Sequence, residues 1–169
     1  MIWTSEQIGK ALSLTLTTND KFGQVQFNSK DIEKGDIFIA LKGGTRDGHE
    51  FVLDAFAKGA ALAIVSEDIK NAPVNKIIKV EDTFEALEGL AEYKRQNSKA
   101  HFIGVTGSVG KTSTKEIIGL ILSSFGKTFV SRGNFNNHIG VPINLASIAD
   151  DVEFAVIEMG MNKAGEISL

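Results

Sequence analysis

The stretch His101-Phe-Ile-Gly-Val-Thr-Gly-Ser-Val-Gly-Lys-Thr-Ser-Thr-Lys115 decides the architecture of this 169-residue chain. Phe102 to Val105 is a short apolar run and reads as a buried strand. A glycine-rich turn, Thr106 to Gly110, follows it. Lys111 and Thr112 then open a segment with apolar residues at 117, 118, 121, 122 and 125, the spacing of one helical face, and Gly126 stands where a C-terminal cap would. Strand, glycine-rich loop, Lys-Thr and helix together form a phosphate-binding loop. The chemistry accounts for the residue types. Glycines let backbone N–H groups turn inward around phosphate oxygens, and a helix N-terminus adds partial positive charge. Lys111 supplies a full charge to the outer phosphates, and the Thr112 hydroxyl suits Mg²⁺. Five residues rather than four separate Gly104 from Gly110, and Val105 stands where the strict pattern has its first glycine, so the working core is Thr106 to Thr112. An ordinary strand–turn–helix connection is the alternative, and Gly-Lys-Thr at a helix start weighs against it.

Composition narrows the partners. Hydrophobic residues make up 43% of the chain, enough for a real core, and the net charge of −3 comes without a basic block, so nucleic acid is not the expected partner. Without cysteine there is no thiolate chemistry, and three scattered histidines, His49, His101 and His138, do not make a zinc cluster. No apolar run approaches the ~20 residues of a membrane span. The N-terminus lacks the charged start and apolar core of a signal peptide, so a cytoplasmic location is expected.

Alternating elements predict an α/β chain in both halves. Thr4-Ser-Glu-Gln7 is a capping box opening a helix to about Leu12. Phe22 to Phe27 reads as a short strand, Ile37 to Leu41 as a buried one. Lys42-Gly-Gly-Thr-Arg-Asp-Gly-His49 is a long polar loop, followed by a helix over about 50–58 with Gly59 as its stop. Strands are expected at 61–65 and 77–80. Asp82-Thr-Phe-Glu85 is a second capping box, opening a helix to about Gln96. The polar run Asn97 to Ala100 is the expected domain boundary. After the phosphate loop come a strand near 128–131, an asparagine-rich loop over 132–140, a helix with Pro142 in its first turn, and an apolar strand, Phe154 to Ile157, ending in Glu158.

Glu158 stands out by position. Ligands of open α/β sheets sit at the carboxyl ends of the strands, so a carboxylate ending a buried strand faces the same rim as the phosphate loop and can hold Mg²⁺. Asn134, Asn136 and Asn137 also follow a strand and can reach that rim. Taken alone they read as loop-stabilising amides. The 42–49 loop is open to two readings, a backbone ligand cradle or a plain surface loop. His138 reads as a surface residue.

Three runs together resemble the Mur ligases of peptidoglycan synthesis: Thr106-Gly-Ser-Val-Gly-Lys-Thr112, Gly133-Asn-Phe-Asn-Asn-His-Ile-Gly-Val-Pro142 and Glu158-Met-Gly-Met-Asn162. Lys34-Gly-Asp-Ile-Phe-Ile-Ala-Leu-Lys-Gly43 and Asp47-Gly-His49 resemble the family's N-terminal substrate domain. The later motifs look most like the member that adds D-alanyl-D-alanine to UDP-N-acetylmuramoyl-tripeptide. The resemblance implies an N-terminal α/β domain over 1–98 that holds the UDP-muramyl substrate, then from residue 99 the first part of a phosphate-loop ATPase domain with a mostly parallel sheet. It implies an ATP- and Mg²⁺-dependent ligase acting through an acyl phosphate, serving cell-wall synthesis and with it cell shape and division.

By the same resemblance Lys111 would be the catalytic charge, and Thr106, Gly107, Ser108, Val109, Gly110, Lys111, Thr112 and Ser113 would hold the nucleotide. Thr112 and Glu158 would hold the metal. Ser29, Lys30, Lys42, Gly43, Asp47, Gly48, His49, Asn134, Asn136 and Asn137 would line the substrate. The family has Ser-Arg where this chain has Ser29-Lys30, and lysine keeps the charge but not the planar fork. The family's central domain continues well beyond the position of Leu169, so the chain reads as an N-terminal portion, inactive by itself and prone to self-association through its second half. Two other readings are a non-catalytic UDP-sugar or nucleotide-binding module and an unrelated phosphate-loop NTPase. The motifs after the loop argue against the second.

Overall fold

The computed structural model describes residues 1–160, apart from Thr45 and Asn134. The chain divides into two compact units, Met1–Tyr93 and Lys94–Leu169.

The first unit opens with β1 (Trp3–Thr4) and α1 (Ser5–Ala11). The capping box is formed: the Thr4 hydroxyl accepts from Gln7 N–H and the Gln7 side chain accepts from Thr4 N–H. The run expected as one strand over Phe22 to Phe27 is instead two, β2 (Lys21–Phe22) and β3 (Val25–Gln26), in different sheets. β2 pairs antiparallel with β1, and β3 pairs parallel with β4 (Ile37–Ile39). The break has a local cause. The Asp36 carboxylate accepts from the N–H groups of Gln24 and Glu33, and a Cβ at Gly23 would lie 2.2 Å from its Oδ1. Glycine at 23 lets the chain turn tightly around that carboxylate.

The main sheet runs β3–β4–β5–β6, all parallel, with β5 at Leu62–Val65 and β6 at Ile77–Lys79. A 3-10 turn over Gly48–Phe51 leads into α2 (Val52–Ala57), which is shorter than the sequence suggests. Phe38, Ala40, Val52, Ala55, Ala63 and Val65 form the core between α2 and the sheet. α3 (Thr83–Asn97) is capped by the Asp82 carboxylate, which accepts from the N–H groups of Phe84 and Glu85, and it buries Leu87 and Leu90.

In the second unit β7 (His101–Val105), β8 (Thr128–Val130) and β9 (Phe154–Glu158) form a parallel sheet of order β7–β9–β8. The central strand is therefore β9, with Ala155, Val156 and Ile157 buried. The strand before the phosphate loop lies beside it, and only Val105 of that strand is buried. The expectation of a buried 102–105 strand is corrected accordingly.

The apolar positions of α4 (Lys111–Leu122) are only partly turned inward, with Ile118 and Leu122 half-buried. Ile117, Ile121 and Phe125 are 58%, 55% and 72% exposed, while Lys115 and Gly119 are buried. The helix lies against β8 through Gly119, where a Cβ would come within 2.4 Å of Val130 Cγ2. α5 (Gly140–Ala146) covers part of β9.

Candidate functional site

α4 starts where the glycine-rich loop Thr106 to Gly110 ends. Gly110, its N-cap, has φ +76° and offers no side-chain acceptor, and there is no acidic residue in the first turn. The first N–H groups of a 12-residue helix therefore face the loop without a capping side chain, as an anion site requires. Lys111 reaches back over the loop and donates to the Gly107 carbonyl at 2.8 Å. A cavity of about 430 Å³ is bounded by Ser108, Val109, Gly110, Lys111, Thr112, Ser113, Asn136 and Glu158. Loop, helix start, asparagine loop and the end of β9 thus converge on one hollow.

Glu158 is 2% exposed, yet its carboxylate is well supplied with donors. Thr112 Oγ1 donates to Oε2 at 3.0 Å and Asn136 Nδ2 donates to Oε1 at 2.8 Å. Lys115 Nζ stands 3.5 Å from Oε2. Burial is the largest influence on the Glu158 carboxyl and raises its pKa. The Asn136 and Thr112 hydrogen bonds and the Lys115 charge together outweigh burial, so the net shift is downward.

A carboxylate has about four lone-pair directions, so Oε1, which takes the Asn136 donor, keeps room for another partner. The Thr112 proton points at Glu158, which leaves the lone pairs of the hydroxyl, at the wall of the cavity, for a cation. Two oxygen donors beside a phosphate cradle fit Mg²⁺, which keeps several waters and takes one or two protein oxygens plus phosphate. Among the described residues there is no group of three or more His, Cys, Asp or Glu that could hold a metal without such help.

The asparagine loop divides by role. Asn136 faces Glu158, and its carbonyl accepts from Gly160 N–H at 2.7 Å. Asn137 Oδ1 accepts from the N–H groups of Ile139 and Gly140, so it braces the entry to α5 and is turned from the cavity. Asn134 lies outside the described residues. His138 is exposed.

Two residues escaped the sequence reading. Asn144, 2% exposed on α5, donates to Phe135 O and Gly140 O and accepts from Arg132 N–H, holding both ends of the loop. Lys115 is fully buried under Glu158. Its spacing, three residues after Thr112 on the same side of the helix, places it near the site but does not mark it as buried.

In the first unit the expected substrate residues follow the carboxyl ends of neighbouring parallel strands. Ser29 and Lys30 come after β3, and Lys42, Gly43, Asp47, Gly48 and His49 after β4. Ser29 is buried and shares a hydrogen bond with the Asp54 carboxylate, while Lys30 is exposed.

The 42–49 segment is a closed turn. Lys42 and Asp47 form an antiparallel bridge, Gly43 N–H donates to Arg46 O, and Lys42 forms ion pairs with Glu67 and Asp47. The His49 ring is inside the fold. Its Nε2 accepts from Ser66 N–H at 2.9 Å, which puts the ring proton on Nδ1, 2.5 Å from Asp47 Oδ1. Both ring nitrogens are occupied, so His49 shapes the turn, and a direct substrate contact through the ring would need them released. Hollows elsewhere in this unit, one at the start of α3 and one near Thr15–Thr18, include none of these residues.

Comparison with known proteins gives the family. A profile described as the catalytic domain of the Mur ligase family matches residues 21–95, and one for the Mur ligase middle domain matches residues 105–169. The UDP-N-acetylmuramoyl-tripeptide–D-alanyl-D-alanine ligase of Rickettsia prowazekii is 54% identical over 168 residues, covering 99% of this chain and 37% of the relative. A solved structure of the UDP-N-acetylmuramoylalanyl-D-glutamyl-2,6-diaminopimelate–D-alanyl-D-alanyl ligase from Acinetobacter baumannii superposes with TM-score 0.83 at 38% identity, over 99% of this chain and 38% of that one. The MurF ligase of Thermotoga maritima, solved in complex with ADP, superposes with TM-score 0.70 at 35% identity, over 86% of this chain and 34% of that one. The chain spans a little over a third of the length of these relatives. Two profile matches in sequence order, the identity to the ligases above and a shared mixed α/β fold with parallel sheets together mean that the chain belongs to the Mur ligase family.

Proposed function

We propose that this chain supplies the UDP-muramyl-binding domain and the phosphate-loop part of a ligase that joins D-alanyl-D-alanine to UDP-N-acetylmuramoyl-tripeptide in peptidoglycan synthesis. The observation that carries the reading is Thr112 and Asn136 both donating to Glu158 beside an uncapped helix N-terminus. The names of the relatives supply the substrates. Residues 1 to about 98 are assigned to the muramyl substrate, with Ser29, Lys30, Lys42, Gly43 and the Asp47–His49 turn at its rim. Residues from about 99 onward are assigned to ATP. Ligation is proposed for the longer architecture of the relatives, not for this chain alone, and the cytoplasm is its proposed location. No described helix is long and apolar enough to cross a membrane. Self-association is assigned to the exposed apolar stripe of α4.

When bound, ATP supplies the phosphoryl group that turns the peptide carboxylate into an acyl phosphate open to the amine of D-alanyl-D-alanine. The residues of the chain bind and orient. The N–H groups from Gly107 to Ser113 cradle the phosphates. The Lys111 ammonium exchanges its Gly107 carbonyl for phosphate oxygens and offsets the charge that spreads during transfer. Thr112 and Glu158 would hold Mg²⁺, with Asn136 fixing the tilt of the Glu158 carboxylate. Positioning is most of the catalysis in such a transfer.

Calorimetry with Mg-ATP and with a UDP-muramyl peptide tests the assignment. Lys111→Ala is expected to weaken Mg-ATP binding by at least about tenfold, the scale of a lost charge-assisted contact, and to leave the uridine ligand unaffected. Equal losses for both ligands would defeat the two-site reading.

A further inference from the structure

Lys115 is the buried charge that the proposed mechanism leaves unused. Its side chain is completely enclosed. Nζ donates to Ser131 O at 2.9 Å and to Gly133 O at 3.2 Å, stands 3.5 Å from Glu158 Oε2, and is 3.4 Å from Oε1 of the exposed Glu116. An ammonium has three protons, and two carbonyls and the Glu158 carboxylate match them.

A lysine is a costly way to fill a core, since an apolar side chain of similar length packs without the desolvation of a charge. What distinguishes this one is the set of parts it joins. Thr112 lies one turn earlier on the same helix. Ser131 and Gly133 begin the loop that carries Asn136. Ser131 Oγ accepts from Glu158 N–H at 2.9 Å. One ammonium therefore ties the helix, the root of the asparagine loop and the carboxylate together.

We propose that Lys115 is a positioning residue. It holds Glu158 in the orientation in which the carboxylate and the Thr112 hydroxyl face one cation, and so couples Mg²⁺ binding to nucleotide binding. The inference rests on the nucleotide reading above. Its chemistry is that of an outer-shell partner, whose loss typically lowers metal affinity by ~10–100-fold while the direct ligands remain.

The test compares ADP binding to the 169-residue chain with and without Mg²⁺, the ratio of the two affinities being the metal enhancement. Lys115→Met is expected to reduce that ratio by about tenfold or more while metal-free ADP binding changes little. Glu158→Gln is expected to abolish the enhancement, and adding Lys115→Met to it should then have no further effect, because the two act through one carboxylate. A ratio in Lys115→Met equal to wild type overturns the inference. So does an equal loss with and without Mg²⁺, which would mark Lys115 as a structural brace only. If wild type itself shows no enhancement, the nucleotide reading fails and the inference with it. Should Lys115→Met not unfold cooperatively, Lys115→Gln, which keeps a donor for the two carbonyls, replaces it. If neither variant folds, the ammonium is a requirement of the fold and the inference is overturned.

Discussion

At the scale of single residues, each of the two proposed rims carries a carboxylate whose ionised form is held by donors. Asp47 gives a direct measure in the first unit. The His49 N–H donated to Asp47 is the largest cause lowering its pKa; partial burial opposes it, and the His49 ring and the Lys42 charge add to the lowering. A carboxyl with a depressed folded pKa stabilises the native turn above the unfolded value. That contribution is lost as pH falls through the folded one, since the unfolded chain binds the extra proton first. The Asp47 carboxyl carbon should therefore titrate by NMR with a midpoint below 3.8, and the amide signals of His49 and Ser66 should move in the same step. A midpoint at or above 3.8 would show that the turn does not hold the charge. The residues of the glycine-rich loop were named from sequence because their chemistry restricts their type, whereas those of the first-unit rim were named through the family resemblance. Lys115 and Asn144 were not named. A polar residue on a helix ordinarily faces water, and only the fold reveals acceptors waiting inside.

At the scale of elements, pattern succeeded where caps wrote the boundary and failed where packing turned on residues that are not apolar. Thr4 and Asp82 announce α1 and α3 through oxygens whose acceptance from first-turn N–H groups is a local affair. The seam of α4 was misread because Lys115 and Gly119 lie at its centre, and neither counts as hydrophobic. The Phe22–Phe27 run was misread because the Asp36 carboxylate, distant in sequence, bends the chain at Gly23.

Gly119 yields a prediction in which two effects compete. Alanine in a helix interior gains about 1 kcal/mol over glycine. Here the new methyl would meet Val130 Cγ2 at 2.4 Å, and overpacking of this kind costs about 1–3 kcal/mol. Gly119→Ala should therefore lower stability in urea melts. In a Val130→Ala background the clash is gone and the same change should be neutral or stabilising. A stabilising Gly119→Ala in the wild-type background would mean that α4 can move off β8 at little cost.

At the scale of the whole molecule, the chain holds two separate sets of buried residues, and the first looks sufficient by itself. Phe38, Ala40, Val52, Ala55, Ala63 and Val65 pack α2 on one parallel sheet, and Trp3, Ile8, Leu87 and Leu90 are buried in the same unit. About 100 residues is an ordinary size for an autonomous domain. The units divide between Tyr93 and Lys94, inside α3, so the choice of end point matters. A segment of residues 1–98 keeps the whole helix and with it Tyr93, whose ring centroid is 6.0 Å from that of Trp3. It separates Lys94 from Asp150, its ion-pair partner at 2.6 Å within the second unit. We therefore expect residues 1–98 to unfold in a single cooperative transition. Trp3 is the sole tryptophan, so its fluorescence reports on the β1–α3 packing while far-UV circular dichroism reports on the helices. Coincident midpoints from both probes would establish an independent domain. A sloping, probe-dependent melt would mean that the last turn of α3 and its partners in the second unit are needed to fix the packing of the first, and that the functional border does not fall near residue 98.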